Sequence, residues 1–245
     1  MDMTALVLHS NLSFIHPGLW LNEGGQSATG KLIDHIIQTH PAYGELMTTL
    51  DGDSSQCYSH LASHAHQLAE DRHVTVHELT RDLHILPDFH GNRSPLADPI
   101  MKGMISGLTL TAKVDQLALM YVATLQSLAL GTRYTVDAMT ASGHDVSAVY
   151  MCGGLTKNVT FVQMHADILG RPVIIPSESQ SVLLGAALLG VSAALGPLSQ
   201  VIEQANCDGQ VYHPNTDTKP FYDKKYQVLR RMVDDHLAYR EIMDQ

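Results

Sequence analysis

An α/β fold is predicted for this chain, on two observations. Short apolar stretches alternate with amphipathic ones along its length, and no long polar linker separates them. Within Ala148-Val-Tyr-Met-Cys-Gly-Gly-Leu-Thr-Lys-Asn158, an apolar run breaks at a Gly-Gly pair and then opens a helix. Val149 to Cys152 is short, apolar and bounded by glycine, which is how a buried strand reads. Gly153 and Gly154 let the main chain turn tightly or approach a ligand closely. Asn158 is placed to cap a helix over Val159–Leu169, with Gly170 as its stop and Pro172 just beyond. The free N–H groups of such a helix start attract anions, so the turn suits a nucleotide pocket. Taken by itself it suits any α/β crossover equally well.

The remaining elements follow in order. Ser27 to Gln38 reads as a helix ended by Pro41 and Gly44, and Ser54 to Glu70 as a second, peripheral one. Arg81 to Pro87 reads as a strand running into a polar turn around Gly91. Lys113 to Ala141 carries Val114, Leu117, Tyr121, Leu125, Leu128 and Met139 at helical spacing, so a long core helix is expected, stopped by Gly143. After the Gly-Gly turn and its helix, Arg171 to Pro176 forms a further strand. Val182 to Leu195, rich in Gly, Ala and Ser, reads as a buried helix with a small-residue face, too short for a bilayer core of roughly 30 Å. Tyr222 to Met243 is a charged amphipathic helix. There is no internal repeat or low-complexity tract.

Composition narrows the function classes. With 245 residues the chain can bury a sizeable core. A net charge of -10 with no dense basic face disfavours nucleic acid or an anionic membrane as partner. Cys57, Cys152 and Cys207 lie far apart without paired spacing, which points to reduced thiols and a cytoplasmic setting. Cys152, ending an apolar strand, reads as a small core residue.

Several motifs together resemble the C-terminal domain of the FGGY carbohydrate kinases, most of all the family's ribulokinase-like animal members. They are the Gly153-Gly154 turn, Ala166-Asp-Ile-Leu-Gly-Arg-Pro-Val173, the small-residue helix around Leu184-Gly-Ala-Ala-Leu188, and the loop Pro87-Asp-Phe-His-Gly-Asn-Arg-Ser-Pro-Leu-Ala-Asp-Pro99. Leu19-Trp-Leu-Asn-Glu-Gly-Gly-Gln-Ser-Ala-Thr-Gly-Lys-Leu-Ile-Asp34 is closer still. The resemblance implies an actin-like, ribonuclease-H-like ATPase fold of two domains with nucleotide in the cleft between them. It implies ATP and Mg²⁺ as cofactors and a sugar as substrate. Only the second domain is matched, over residues 17–245; residues 1–16 read as a divergent leader, without the phosphate-binding hairpin or the catalytic aspartate of the first domain. No catalytic or metal-binding residue is therefore assigned within this chain.

Carried over by position, Gly153, Gly154 and Asn158 match the family's nucleotide loop, with main-chain N–H groups near phosphate or ribose and the Asn side chain near adenine. Leu155 departs from the small residue usual there. Gly30 and Asp34 match positions flanking the adenine; the alternative for Gly30 is a tight helix contact. Asn92 stands where many relatives have glutamate, and Arg93 reads as an ion-pair anchor for its loop rather than a phosphate ligand.

Other constellations weigh less. His60 and His64 lie one helical turn apart, a spacing that suits zinc but without an evident third ligand. Ser177, Ser179 and Ser181 lack the nucleophile elbow of a hydrolase. Two functions remain: the ATP-binding half of a kinase phosphorylating a ketopentose such as ribulose or a related polyol, or a non-catalytic nucleotide-binding or homodimerising short form.

Overall fold

A computed structural model describes residues 9–12, 20–204 and 208–245. Two strands, β1 (His9–Leu12) and β2 (Trp20–Glu23), pair antiparallel with His9 opposite Glu23. β1 falls within the stretch read as a leader, the rest of which, with Pro17 to Leu19 and Cys207, lies outside the described residues. Helices α1 (Gly30–Thr39), α2 (Tyr43–Thr49) and α3 (Cys57–Asp71) follow. A second antiparallel pair, β3 (His84–Leu86) and β4 (Met104–Ser106), leads into α4 (Val114–Ala141). Then come β5 (Val149–Tyr150), α5 (Val159–Leu169), β6 (Val173–Pro176), α6 (Ser181–Leu195), α7 (Leu198–Gln204), β7 (Gly209–Tyr212) and α8 (Lys219–Met243). β5 runs parallel to β6 through the α5 crossover, and β7 closes antiparallel on β6.

Helix α4 is the axle. At 28 residues it is about 42 Å long, and from Leu117 to Leu130 every residue but the half-buried Leu119 is buried. A helix apolar all round must be covered on all sides, and α1, α3, α5 and α8 supply the cover. Helix α1 turns Leu32, Ile33, Ile36 and Ile37 inward, each buried side chain stabilising by about 1.5–3 kcal/mol. α3 buries Cys57, Leu61, Ala65 and Leu68 in the same core, so it is a core wall on one face rather than peripheral. Helix α5 faces both ways: Phe161, Met164 and Ile168 join the α4 core, while Val162 and Ala166 pack with Val173 against the small sheet.

Three further expectations are corrected. Gly44 lies within α2 instead of ending a helix, and it is Pro41 alone that marks the break after α1. Helix α6 forms over Ser181–Leu195 but buries none of its residues; Val182 is 76% and Leu195 80% exposed. Hydrophobicity placed a helix there, and among the described residues α7 is its main neighbour. Cys152 is exposed, because β5 ends at Tyr150 and the chain has already turned outward.

Candidate functional site

Gly153 sets the geometry of the turn after β5. Its φ of +94° and ψ of -175° fall in a region open essentially to glycine, which lets the chain pass at once into a 3-10 turn over Gly154–Lys157. Gly154 has no such angle, and a Cβ on either glycine would meet no atom within 4 Å. Both are exposed, and the N–H groups of Gly154 and Leu155 have no acceptor among the described residues. The turn is thus a pair of outward donors at the carboxyl end of a parallel strand, a place where open α/β sheets bind ligands. Leu155 packs half-buried on the core and so holds the turn from below.

Asn158 caps α5 as expected: its Oδ1 accepts from the Phe161 N–H at 3.1 Å. Gly170, left-handed at φ +61°, ends the helix by donating to the Ala166 carbonyl. The other half of the Asn158 amide is also engaged, since Nδ2 donates to the Tyr121 hydroxyl at 2.7 Å. Tyr121 is fully buried on α4, and burial pushes its hydroxyl up to about 12. The Asn158 side chain is therefore first a clamp between α4 and α5.

Gly30 opens α1, and a Cβ there would meet no atom within 4 Å, so a tight helix contact does not account for it. One turn on, Asp34 Oδ1 accepts a hydrogen bond of 2.6 Å from Tyr58 Oη, which also lies 3.4 Å from the Gly30 carbonyl. Burial, then the Asp34 hydrogen bond and charge, drive the Tyr58 hydroxyl well above its ordinary value. The Tyr58 and Tyr121 rings lie 5.9 Å apart. A continuous side-chain path, Asp34–Tyr58–Tyr121–Asn158, thus joins the two segments marked out in the sequence. Asp34 and Tyr58 share a cavity of about 170 Å³ with Gln38, Tyr43 and Ser54, roughly the room of a heteroaromatic base.

Tyr58 escaped the sequence reading, and Tyr121 entered it only as a core position of the long helix. A buried tyrosine needs a partner for its hydroxyl, and that need was the available signal at Tyr121.

The loop over residues 87–99 is tied beside this site. Asn92 is buried and clasps it internally, Nδ2 donating to Asp88 Oδ1 and Oδ2 at 3.1 and 3.0 Å while Oδ1 accepts from the Leu96 N–H. An amide serves here where a glutamate would set a second charge against Asp88, which burial already pushes up to about 6. Arg93 pairs with Glu23 at the end of β2, the anchor expected of it. Ser94 accepts from the Gly25 N–H at 3.1 Å, and Gln26 reaches the Leu128 carbonyl and Thr132 on α4. A cleft of about 420 Å³ runs between this loop and Ser27.

The weaker constellations dissolve. The His60 and His64 rings stack at 6.3 Å and His64 turns to Asp115 at 2.7 Å; no group of three metal-ligating side chains occurs among the described residues. Ser177 and Ser181 donate to the main-chain carbonyls of Asp208 and Glu178 in local turns.

Comparison with known proteins agrees with this fold. Residues 3–194 match the profile of the FGGY family of carbohydrate kinases, C-terminal domain. The chain is 48% identical over 230 residues to the human FGGY carbohydrate kinase domain-containing protein, covering 93% of this chain and 41% of that one. It is 36% identical over 222 residues to a D-ribulokinase of Saccharomyces cerevisiae, covering 89% of this chain and 30% of the relative. Among solved structures it is similar to the xylulose kinase of Rhodospirillum rubrum, with a TM-score of 0.69 at 20% identity, over 91% of this chain and 41% of the other. The chain thus spans about two fifths or less of the length of these relatives. The structural likeness establishes the fold, that of the C-terminal domain of an actin-like ATPase.

Proposed function

The chain belongs to the FGGY family of carbohydrate kinases, and from that premise we propose that it is the nucleotide-binding part of an ATP-dependent kinase for a ketopentose, D-ribulose or a related polyol. The observation that carries the reading is the outward Gly153–Gly154 turn at the end of β5, with two unpaired N–H donors and the open space beside both glycines. The yeast relative, named for ribulose, supports the substrate class.

In this reading the turn receives the phosphates, and Gly30 and Asp34 flank the base. Asn158 holds the turn against α4 instead of touching adenine with a free amide, since both its polar atoms are engaged within the protein. ATP would bring Mg²⁺ on its phosphates. Phosphoryl transfer depends mainly on alignment and charge stabilisation. No residue here is assigned as the base that takes the proton of the sugar hydroxyl: Asp34 is engaged by Tyr58 and Asp98 by Arg240. That base and most sugar contacts belong to a preceding domain, with residues 17–245 as the nucleotide domain, 1–16 as leader and the cytoplasm as the setting. No helix among the described residues is long and apolar enough to cross a membrane.

The test is a coupled ADP-release assay with ribulose, xylulose, ribitol and glycerol, run on the 245-residue chain and on a form carrying the additional length of its relatives. The expected outcome is turnover by the longer form alone. Sugar-dependent turnover by the short chain, abolished by Gly154→Val, would return the base to this chain. A second reading, a non-catalytic or self-associating short form, has the exposed apolar side chains of α6 in its favour.

A further inference from the structure

Several basic side chains of this chain find acids: Arg133 reaches Asp223, Arg231 reaches Asp235 and Arg240 reaches Asp98. With 25 Asp and Glu against 15 Lys and Arg, acids are plentiful enough for that. Lys31 departs from the pattern, and it does so in company. Lys31 and His35 lie one turn apart on α1 and so share a face. That face borders a cavity of about 420 Å³ whose other wall is Phe89 and His90 of the loop over residues 87–99. The Phe89 ring meets the His35 ring edge-on at 6.0 Å and sets the imidazole at the cavity's side. Gly91, at φ +77° and so close to Pro99 that a Cβ would meet its carbonyl oxygen at 2.8 Å, fixes the turn that presents His90. Among the described residues the side chains of Ser27, Lys31 and His90 have no hydrogen-bond or ion-pair partner, that of His35 has only the Phe89 ring, and no carboxylate lines the cavity. An ammonium and two imidazoles all present N–H donors, since even a neutral imidazole keeps one. Their charge and dipoles act in a concave space backed by apolar Leu32 and Phe89, which strengthens the field on an anion. A phosphate ester brings close to two negative charges and three acceptor oxygens, enough to engage all three side chains. Ser27 and His90 also line the cleft beside Arg93 and Glu23, so the two spaces are continuous. Glu23 changes the character of that second space: its carboxylate, paired with Arg93, repels a further phosphate and accepts hydrogen bonds from hydroxyl groups.

We propose that the cavity between α1 and the 87–99 loop binds a small phosphorylated polyol, with the phosphate at Lys31, His35 and His90 and the hydroxylated tail in the cleft towards Glu23 and Arg93. Recognition of the phosphate here is a matter of charge and donor count, which the lining residues supply whatever their exact rotamers. The cavity shares no residue with the Gly153–Gly154 turn or with the space around Asp34 and Tyr58. The inference therefore goes beyond the nucleotide reading and does not depend on it.

The experiment titrates the 245-residue chain with ribitol 5-phosphate and with inorganic phosphate, at about 0.15 M NaCl so that loose surface pairing is screened. Calorimetry gives the affinities, and the imidazole Cε1–H resonances of His35 and His90, identified by their loss in His35→Asn and His90→Asn, report the place. The ester is expected to bind with a Kd of about 1 mM or tighter, and at least about threefold tighter than inorganic phosphate, while both resonances move. Lys31 is exposed, so Lys31→Gln should leave thermal unfolding unchanged and weaken the ester at least about tenfold. Saturating ATP should leave the ester affinity within about twofold. The assignment is overturned by a wild-type chain that does not bind the ester at this salt, by ester binding that leaves both imidazole resonances in place, or by a stable Lys31→Gln chain that binds as wild type does. Inorganic phosphate bound as tightly as the ester would remove the polyol tail from the assignment. Displacement of the ester by ATP would give the cavity to the nucleotide and overturn the separate site, whereas a chain that binds the ester and no ATP would remove the nucleotide reading and leave this one standing.

Discussion

Asn158 and Tyr121 hold each other across the interface between α5 and α4, Nδ2 donating to the hydroxyl at 2.7 Å. The same asparagine caps its own helix through Oδ1. One side chain thus completes a local motif and a tertiary contact separated by 37 residues. Asn158→Ala removes the cap, about 1 kcal/mol, and strands a buried hydroxyl, about 1–3 kcal/mol more. Asn158→Asp keeps the cap and loses the Nδ2 donor, so it should fall between wild type and alanine. Urea unfolding of the three chains is the measurement; an Asn158→Asp chain as stable as wild type would deny the Tyr121 bond any weight.

The two glycines of the turn should separate folding from binding. Gly153→Val forces a branched residue into φ +94°, at a cost of about 1–3 kcal/mol in stability. Gly154→Val meets neither a positive φ nor a neighbouring atom, so stability should hold within about 0.5 kcal/mol. Nucleotide affinity should nonetheless fall at least tenfold, about 1.4 kcal/mol, because a side chain then occupies the outward space. A Gly154→Val chain that is stable and binds nucleotide normally would make the turn purely structural.

Asp88 makes stability depend on pH in an unusual direction. Its folded value, pushed by burial up to about 6, lies above the ordinary 3.8. On acidification the native state therefore takes up this proton before the unfolded chain does. The Asp88 contribution rises as pH falls through about 6 and levels off below the unfolded value, with a total of about 2 to 3 kcal/mol. His165 and His84, both lowered to about 4 chiefly by burial, work the opposite way. They cancel in the difference between wild type and Asp88→Asn, which should grow in favour of wild type from pH 7 to pH 4. Parallel stability curves over that range would show that Asp88 titrates normally.

Lys225 of α8 is buried and donates Nζ to the Leu83 carbonyl at 2.6 Å and to that of Thr80. Those carbonyls end the short turn before β3, so one ammonium fastens α8 to the loop's root. Lys225→Ala takes the ammonium from the Leu83 carbonyl, while the Thr80 carbonyl keeps the Leu83 N–H at 3.0 Å, and should cost about 1–3 kcal/mol. Thermal unfolding checks it; a change below about 0.5 kcal/mol would mean that water replaces the ammonium.

Helix α6 leaves Val182, Leu183 and Leu195 exposed. Clusters of this kind associate, and the chain on its own should elute from size exclusion earlier as concentration rises. Leu183→Glu should weaken that association at least tenfold. A monomer at every concentration would count against it.

The local grammar of the β5–α5–β6 unit was legible residue by residue. Asn158 as cap, Gly170 as left-handed stop and the two flanking strands follow from short-range rules that involve a few neighbours along the chain. The apolar spacing from Val114 onward likewise marked α4 as the central helix. Arg93 as an ion-pair anchor was legible too, though not its partner Glu23. What the tertiary structure alone decided is which surfaces are covered and which distant groups meet. Periodicity predicts that an apolar helix forms but not that anything lies on it, so α6 and Cys152 came out exposed where burial was expected. Hydrogen bonds between Tyr58 and Asp34, and between Tyr121 and Asn158, join residues 24 and 37 positions apart. Their geometry depends on how α1, α3 and α5 are set against α4, and no pattern along a single segment encodes that arrangement.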